Sequence, residues 1–248
     1  MKDVKAISIP AGTVKKIEDA NGNIIWGSQA AFPYRRLEYI KFTGSEYVLT
    51  NHKPATNRYY YLNFEIASRI NDKFILAANG DITSAGAMRV TVRTSASYFQ
   101  TRYGRDNSGN LNIGSVCNTD TFYQLRFRIY SGSNIYSAIA DSSGTVLGSN
   151  TIATISFTSS NMYPFAIMGY NNGGTVGNMT AGRVYRYFYR IGDASGNIGS
   201  DCYPCQRRSD NVCGLYDVVN SVFYPMSGTN ITSAAAGPLV SEYWDMTN

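Results

Sequence analysis

The sequence predicts an all-β protein, an antiparallel β-sandwich or jelly roll preceded by a small N-terminal β-hairpin module. Three observations carry that prediction. Several segments alternate apolar and polar residues with a period of two, the pattern of antiparallel strands with one wet face. Turn clusters of Gly, Asn, Asp and Ser punctuate them about every ten residues, as in sandwiches and jelly rolls. Only 16% of the 248 residues are charged, while 20 are Tyr and 23 are Gly. Aromatic and β-branched side chains fit a pleated surface, and Ala-, Glu-, Lys- and Leu-rich stretches at helical spacing are almost absent.

The elements follow in order. Residues 1–28 contain "VKAISIPAGTVKKIEDANGNIIWGS", read as two or three short strands with turns at Pro10-Ala11-Gly12 and Asn21-Gly22-Asn23. Its apolar residues (Ile7, Ile9, Val14, Ile17, Ile24, Ile25 and Trp26) are too few to close a core alone, and such a unit is marginal unless it docks. It is either a hairpin packed on the main domain or an attachment module for a larger assembly. Residues 29–34 read as a linker, 35–238 as the sandwich and 239–248 as a tail. In "YYLNFEI", Tyr60, Leu62, Phe64 and Ile66 share one face. In "FYQLRFRI", Tyr123, Leu125, Phe127 and Ile129 point inward, with Gln124, Arg126 and Arg128 outward. In "MRVTVRT", Met88, Val90 and Val92 point inward. The tail carries Tyr243 and Trp244 beside Glu242 and Asp245; it docks across a neighbour or frays.

Composition and motifs exclude several functions. The net charge of +5 is modest, and the basic runs Lys15-Lys16, Arg35-Arg36 and Arg207-Arg208 are short, which argues against nucleic acid. With no signal-peptide pattern and no spanning segment, the chain is expected to be made in a cytoplasm, without membrane insertion and with free thiols. His52 is the only histidine, so no Ser-His-Asp arrangement or His-rich zinc centre is available; it is read as a loop residue. Glu38, Glu46, Glu65, Asp193 and Asp217 read mostly as scattered surface acids, with no pairing suited to glycoside hydrolysis. The expectation is a protein that is not an enzyme and carries no cofactor and no metal. Residues 104–110 and 192–197 only loosely resemble calcium loops, and turn chemistry explains them equally well.

Three of the four cysteines fall within "DCYPCQRRSDNVCGLYDVVNSVFYP", residues 201–225. A zinc site lacks its fourth ligand, and a redox motif lacks the following helix. Cys202 and Cys213 would approach disulfide distance if they faced each other across a hairpin turning at "RRSDN". The leading reading is buried thiols acting as small apolar side chains.

The same stretch carries a resemblance. Pro204, Cys205, Arg207, Ser209, Asp210, Gly214, Leu215, Tyr216, Asp217, Asn220, Phe223, Tyr224 and Gly228 match the closing pattern of phage-encoded tail and virion surface proteins with a concanavalin-like (LamG-like) jelly roll. "LEYIKFTGSEYVLTN" resembles the first strand pair of that family and "GRVYRYFYRI" its late strand. The N-terminal segment resembles a short module at the front of phage structural proteins. Against that pattern Asp210 and Asp217 read as architecture, accepting turn N–H groups with Arg207 as a charge partner, and Gly214 as a point of backbone freedom. The resemblance implies a bacteriophage virion protein of tail-fibre, tail-tip or head-fibre type, made in the bacterial host cytoplasm, whose lectin-like domain recognises a host-surface glycan. The alternatives are a decoration or connector protein without a ligand and, behind it, a glycan depolymerase. The expected ligand-binding residues are loop aromatics beside polar groups: Tyr98, Arg102 and Tyr103, and Tyr170, Asn171 and Asn172. Other virion proteins would be bound through residues 1–28. A homo-oligomer is expected, with a trimer favoured, packing through the Tyr-rich outward faces of strands 58–66 and 183–191.

Overall fold

The computed structural model describes residues 16–18, 24–27, 33–70, 73–79, 89–94, 98–103, 111–130, 134–153 and 162–241. The turn at Pro10, Met88, the loop 104–110, and Tyr243 and Trp244 lie outside them. The chain divides into two units, Met1–Pro33 and Tyr34–Asn248. In the first, β1 (Lys16–Glu18) and β2 (Ile24–Gly27) pair antiparallel, with Ile17 opposite Trp26. The predicted turn at Asn21-Gly22-Asn23 lies outside the described residues.

The second unit is the antiparallel sandwich. It opens at β3 (Tyr34–Leu37), inside the segment read as a linker, and continues with β4 (Ile40–Thr43), β5 (Tyr47–Leu49), β6 (Arg58–Ile66) and β7 (Lys73–Asn79). Next come β8 (Arg89–Thr94), β9 (Tyr98–Tyr103), β10 (Leu111–Val116), β11 (Tyr123–Ile129), β12 (Asn134–Ala140) and β13 (Val146–Ala153). The rest are β14 (Ala166–Ile167), β15 (Tyr170–Asn172), β16 (Thr175–Gly177), β17 (Ala181–Ile191), β18 (Ile198–Arg207), β19 (Cys213–Asp217), β20 (Val222–Ser227) and β21 (Leu239–Ser241).

The front sheet runs β13-β12-β11-β6-β17-β18-β19-β20. Strand β4 lies beside the first half of β17, β3 pairs with the end of β18, and β21 pairs with β3. The back sheet runs β5-β14-β7-β8-β9-β10, with β15 parallel to β7 and β16 on β15. The chain passes between sheets after β4, β5, β6, β10, β13 and β16. Strand β20 joins both, since Met226 and Ser227 pair with β5. At the opposite side Asn150 Nδ2 on β13 donates to the Asn112 carbonyl on β10 at 3.0 Å, so the sandwich is closed along both flanks.

One core fills the space between the sheets. Tyr60, Leu62, Phe64 and Ile66 are fully buried, as are Leu125, Phe127, Val184 and Leu215 from the front and Val48, Ile75, Phe99, Ile113 and Ile167 from the back. The predicted facing of β6 and β11 is therefore the observed one; the side chains of Val90 and Val92 lie outside the description. Aromatic rings bridge the layers, Phe64 to Phe99 at 5.6 Å and Tyr60 to Phe165 at 5.1 Å, both edge-on as ring quadrupoles prefer. Gly182 is where β17 meets β6: a Cβ there would stand 2.0 Å from the Glu65 carbonyl oxygen.

Candidate functional site

Alternation that buries one face of the front sheet aims the other at solvent, and that outer face is built from arginine and aromatic rings. Tyr61 and Phe188, opposite each other on β6 and β17, stack at 4.3 Å and 5°. Tyr59 packs on Tyr61 at 4.7 Å and meets Tyr136 of β12 at 6.2 Å. One cross-strand row reads Tyr136, Arg128, Tyr59, Arg190 over β12, β11, β6 and β17. The row beside it reads Arg126, Tyr61, Phe188. Burial raises the pKa of the Tyr61 phenol, opposed by the charges of Arg126, Arg190 and Arg128. The charges of those three arginines thus all act on one phenol.

The array continues over β18. Arg186 lies over Phe188 at 4.6 Å and over Tyr203 at 4.9 Å, and Arg36 lies over Tyr203 at 4.6 Å. Asp201, 6% exposed, fixes Arg186 through a two-pronged pair at 2.7 and 2.6 Å, the geometry that gives arginine its directionality. Tyr34, Tyr216 and Phe223 form a further ring group, with Arg207 over Phe223 at 5.1 Å. The sequence shows the outward tyrosines of 58–66 and 183–191; it misses Arg126, Arg128, Arg186, Arg190 and Tyr203 as their neighbours. The signal that could have found them is the polar half of each alternation, which is arginine-rich on β11 and β17.

The six expected ligand residues lie on the back sheet. Tyr98 is half-buried at the start of β9. Arg102 and Tyr103 hold backbone positions at its end, with Arg102 opposite Thr91 and Thr91 opposite Ala77. Tyr170 is 8% exposed and stacks on Phe74 at 4.8 Å, in a small cluster with Ala77. Register thus brings Arg102 and Tyr170 toward one row, and leaves Tyr98 about 13 Å further along β9. Asn171 is 1% exposed; its amide donates to the Pro164 carbonyl at 2.8 Å and accepts from Gly174 N–H at 3.0 Å, so it shapes the loop. Asn172 is exposed. The loop's position follows from Met168, at φ 57°, where the chain turns from antiparallel to parallel pairing with β7.

The acids read as surface groups need correcting. Glu46 and Asp217 are fully buried. Glu46 accepts from Thr43 N–H at 2.6 Å and from Thr229 and Asn230, tying the β4–β5 turn to the chain after β20. Burial alone would raise its pKa, but these hydrogen bonds outweigh it and lower it. Asp217 accepts from Ser200 Oγ at 2.7 Å, Val219 N–H at 3.0 Å and Asn220 Nδ2 at 2.7 Å. Glu65 holds Arg183 at 2.7 Å and the Tyr185 hydroxyl at 2.5 Å. Asp210 accepts from Val212 N–H and pairs with Arg207, and Asp193 closes its own turn with Ser195.

His52 does sit in a loop but is only 7% exposed. Its ring lies among Tyr187, Tyr189 and Tyr224, with Nε2 3.2 Å from the Tyr224 hydroxyl and 3.8 Å from Asp217. Burial pushes its pKa down to about 4, with Asp217 opposing and Arg58 adding to the fall. At neutral pH the imidazole is uncharged.

All four cysteines are buried free thiols. Cys202 stands opposite Asp217 and Cys213 opposite Gln206, about 14 Å apart along the hairpin at strand spacing, which rules out the Cys202–Cys213 bridge. Burial pushes the Cys213 thiol up to about 12. Among the described residues no three His, Cys, Asp or Glu side chains converge as metal ligands. Gly214 is needed for close approach rather than backbone freedom: a Cβ there would lie 2.4 Å from the Tyr224 carbonyl and 2.7 Å from the Phe223 ring.

Fold and site together define a β-sandwich with a cationic, aromatic sheet face. No family model matches the sequence, and no curated protein matches it. Among solved structures, the chain is similar to a native heptameric SAP-like pentraxin from Limulus polyphemus at 8% identity and a TM-score of 0.41, covering 82% of this chain and 97% of the pentraxin chain. At that identity and score the likeness transfers neither ligand nor assembly.

Proposed function

We propose that this chain is a bacteriophage virion protein of fibre or tail-tip type, without catalytic activity, whose sandwich displays a glycan-recognition face to the host. The observation that carries the binding role is the outer face of the front sheet, where rings and fixed guanidinium groups are held on rigid strands rather than on loops. Such faces recognise ligands by shape and a few directed polar groups. The absence of catalysis is supported by the acids: Glu46, Glu65, Asp201 and Asp217 are each held by structural hydrogen bonds or ion pairs. The virion role rests on the closing motif and the front module of the sequence. Oligomer formation is supported by the exposed Leu239 and Val240 on the edge strand β21, 58% and 49% exposed, since an apolar edge invites a neighbour.

The test is binding of the purified full chain to host cells and to a panel of host-surface glycans, with release of sugar fragments followed in parallel. Binding without fragments is the expected result. Fragment release means a depolymerase, and no capture of cells or glycans means a connector protein.

A further inference from the structure

We infer that the outer face of the front sheet takes an anionic polysaccharide, with Arg126, Arg128 and Arg190 reading its charges. This rests on the glycan-recognition reading and adds the chemistry of the ligand. Arg128 and Arg190 flank Tyr59 in one row, two strands apart, hence about 10 Å from each other, and Arg126 follows Arg128 at about 7 Å along β11. Three arginines are therefore rooted in neighbouring positions on one face of the sheet, so an extended polyanion laid across these strands can meet all of them.

Among the described residues they form no ion pair. Arg183, Arg186 and Arg207 pair with Glu65, Asp201 and Asp210; Arg126, Arg128 and Arg190 have no carboxylate within ion-pair distance among the described residues. The acid whose field couples to Arg128 is Asp193, an exposed turn residue whose carboxylate is bound by Ser195. The cations are also oriented in advance. Arg126 donates to Gln124 Oε1 at 2.8 Å and to the Gly144 carbonyl at 2.9 Å, and Arg190 donates to the Gly196 carbonyl at 2.8 Å. Arg128 lies over Tyr130 at 4.3 Å, its buried Nε without a hydrogen-bond partner. Each guanidinium keeps further N–H donors for an anion, and ordering them beforehand lowers the entropic cost of binding.

The rings distinguish the possible occupants. Tyr59, Tyr61 and Phe188 are 8%, 7% and 7% exposed, so they offer little apolar area to a second copy of the chain. The faces of Tyr61 and Phe188 are stacked on each other, which denies nucleobases the open platforms they need. Half-buried Tyr136 and the exposed Tyr130 at the rim remain for sugar C–H groups.

The experiment titrates the full chain with polygalacturonate, with its fully methyl-esterified form and with single-stranded DNA, at low and high salt. Polygalacturonate should bind, more weakly as salt rises, and the esterified polymer should not. Arg126→Gln with Arg190→Gln should weaken binding at least tenfold, whereas Arg69→Gln, a cation elsewhere, should leave it unchanged. The pair Arg126→Lys and Arg190→Lys keeps charge and cover, so it must retain measurable binding even where the Gln pair melts early. Equal binding of the esterified polymer overturns charge reading and leaves glycan recognition standing. No binding of polygalacturonate while neutral host glycans are captured overturns this inference alone; no glycan binding of any kind removes both. Tighter binding of DNA overturns it in favour of nucleic acid.

Discussion

Acidification from neutral pH should destabilise this protein through His52. The folded imidazole holds a pKa of about 4, against an ordinary 6.5. The unfolded chain therefore takes up a proton near pH 6.5 that the folded chain refuses until about pH 4. Stability is complete above the upper value, falls as pH drops between the two, and levels off below the lower. At about 1.36 kcal/mol per pKa unit the full loss is about 3 kcal/mol, of which about 2 kcal/mol arises between pH 7.5 and about pH 5. That upper window is separable from the buried Glu46, which is held below its ordinary value and loses its contribution only under more acidic conditions. Urea unfolding at several pH values measures the slope. In His52→Gln, which keeps a polar partner for the Tyr224 hydroxyl but cannot take up a proton, the slope across that window should vanish whatever the absolute stability. A wild-type protein equally stable at both ends, or a variant with the same slope, would refute the reasoning.

Three further outcomes follow from the packing. Gly182→Ala forces a methyl group against the Glu65 carbonyl, 2.0 Å from the ideal Cβ position, and should cost about 3 kcal/mol in chemical denaturation; a loss below about 0.5 kcal/mol would mean that β6 and β17 can separate there freely. Asp201→Asn leaves Arg186 without its two-pronged partner and, because Arg186 is about one-third exposed, should cost about 2 kcal/mol, below the range of fully buried pairs. Thermal unfolding unaffected by that change would show that the pair is screened by solvent. The cysteines should resist a thiol reagent in the native state and all react in denaturant, since they are buried and burial pushes Cys117 and Cys213 to about 12; rapid native labelling would contradict their burial.

Local chemistry made much of the fold legible. The alternation in 60–66 and 123–129 assigns each residue to a face because side chains flip at every step of a strand, whatever the strand later pairs with. The turn between β18 and β19 was readable from Asp210 and Asn211, since Asp210 bonds Val212 N–H and Asn211 takes φ 59°, both properties of the residue itself. The burial of Glu46 was not legible for the opposite reason. Glu46 is buried because Thr229 and Asn230 arrive from the far end of the chain, and no spacing near residue 46 announces them. His52 likewise owes its neutrality to Tyr187, Tyr189 and Tyr224.

The division between the two levels is sharpest at the proposed site. By itself the sequence determined that Arg126 and Arg128 face away from the core and that 58–66 and 183–191 carry outward rings, because both follow from a two-residue period. Only the tertiary structure decided that β6 lies between β11 and β17, which sets Arg128 and Arg190 on either side of Tyr59. Strand order is chosen by long-range pairing and by how the whole core closes, so a surface assembled across strands distant in sequence exists only once the sandwich has folded.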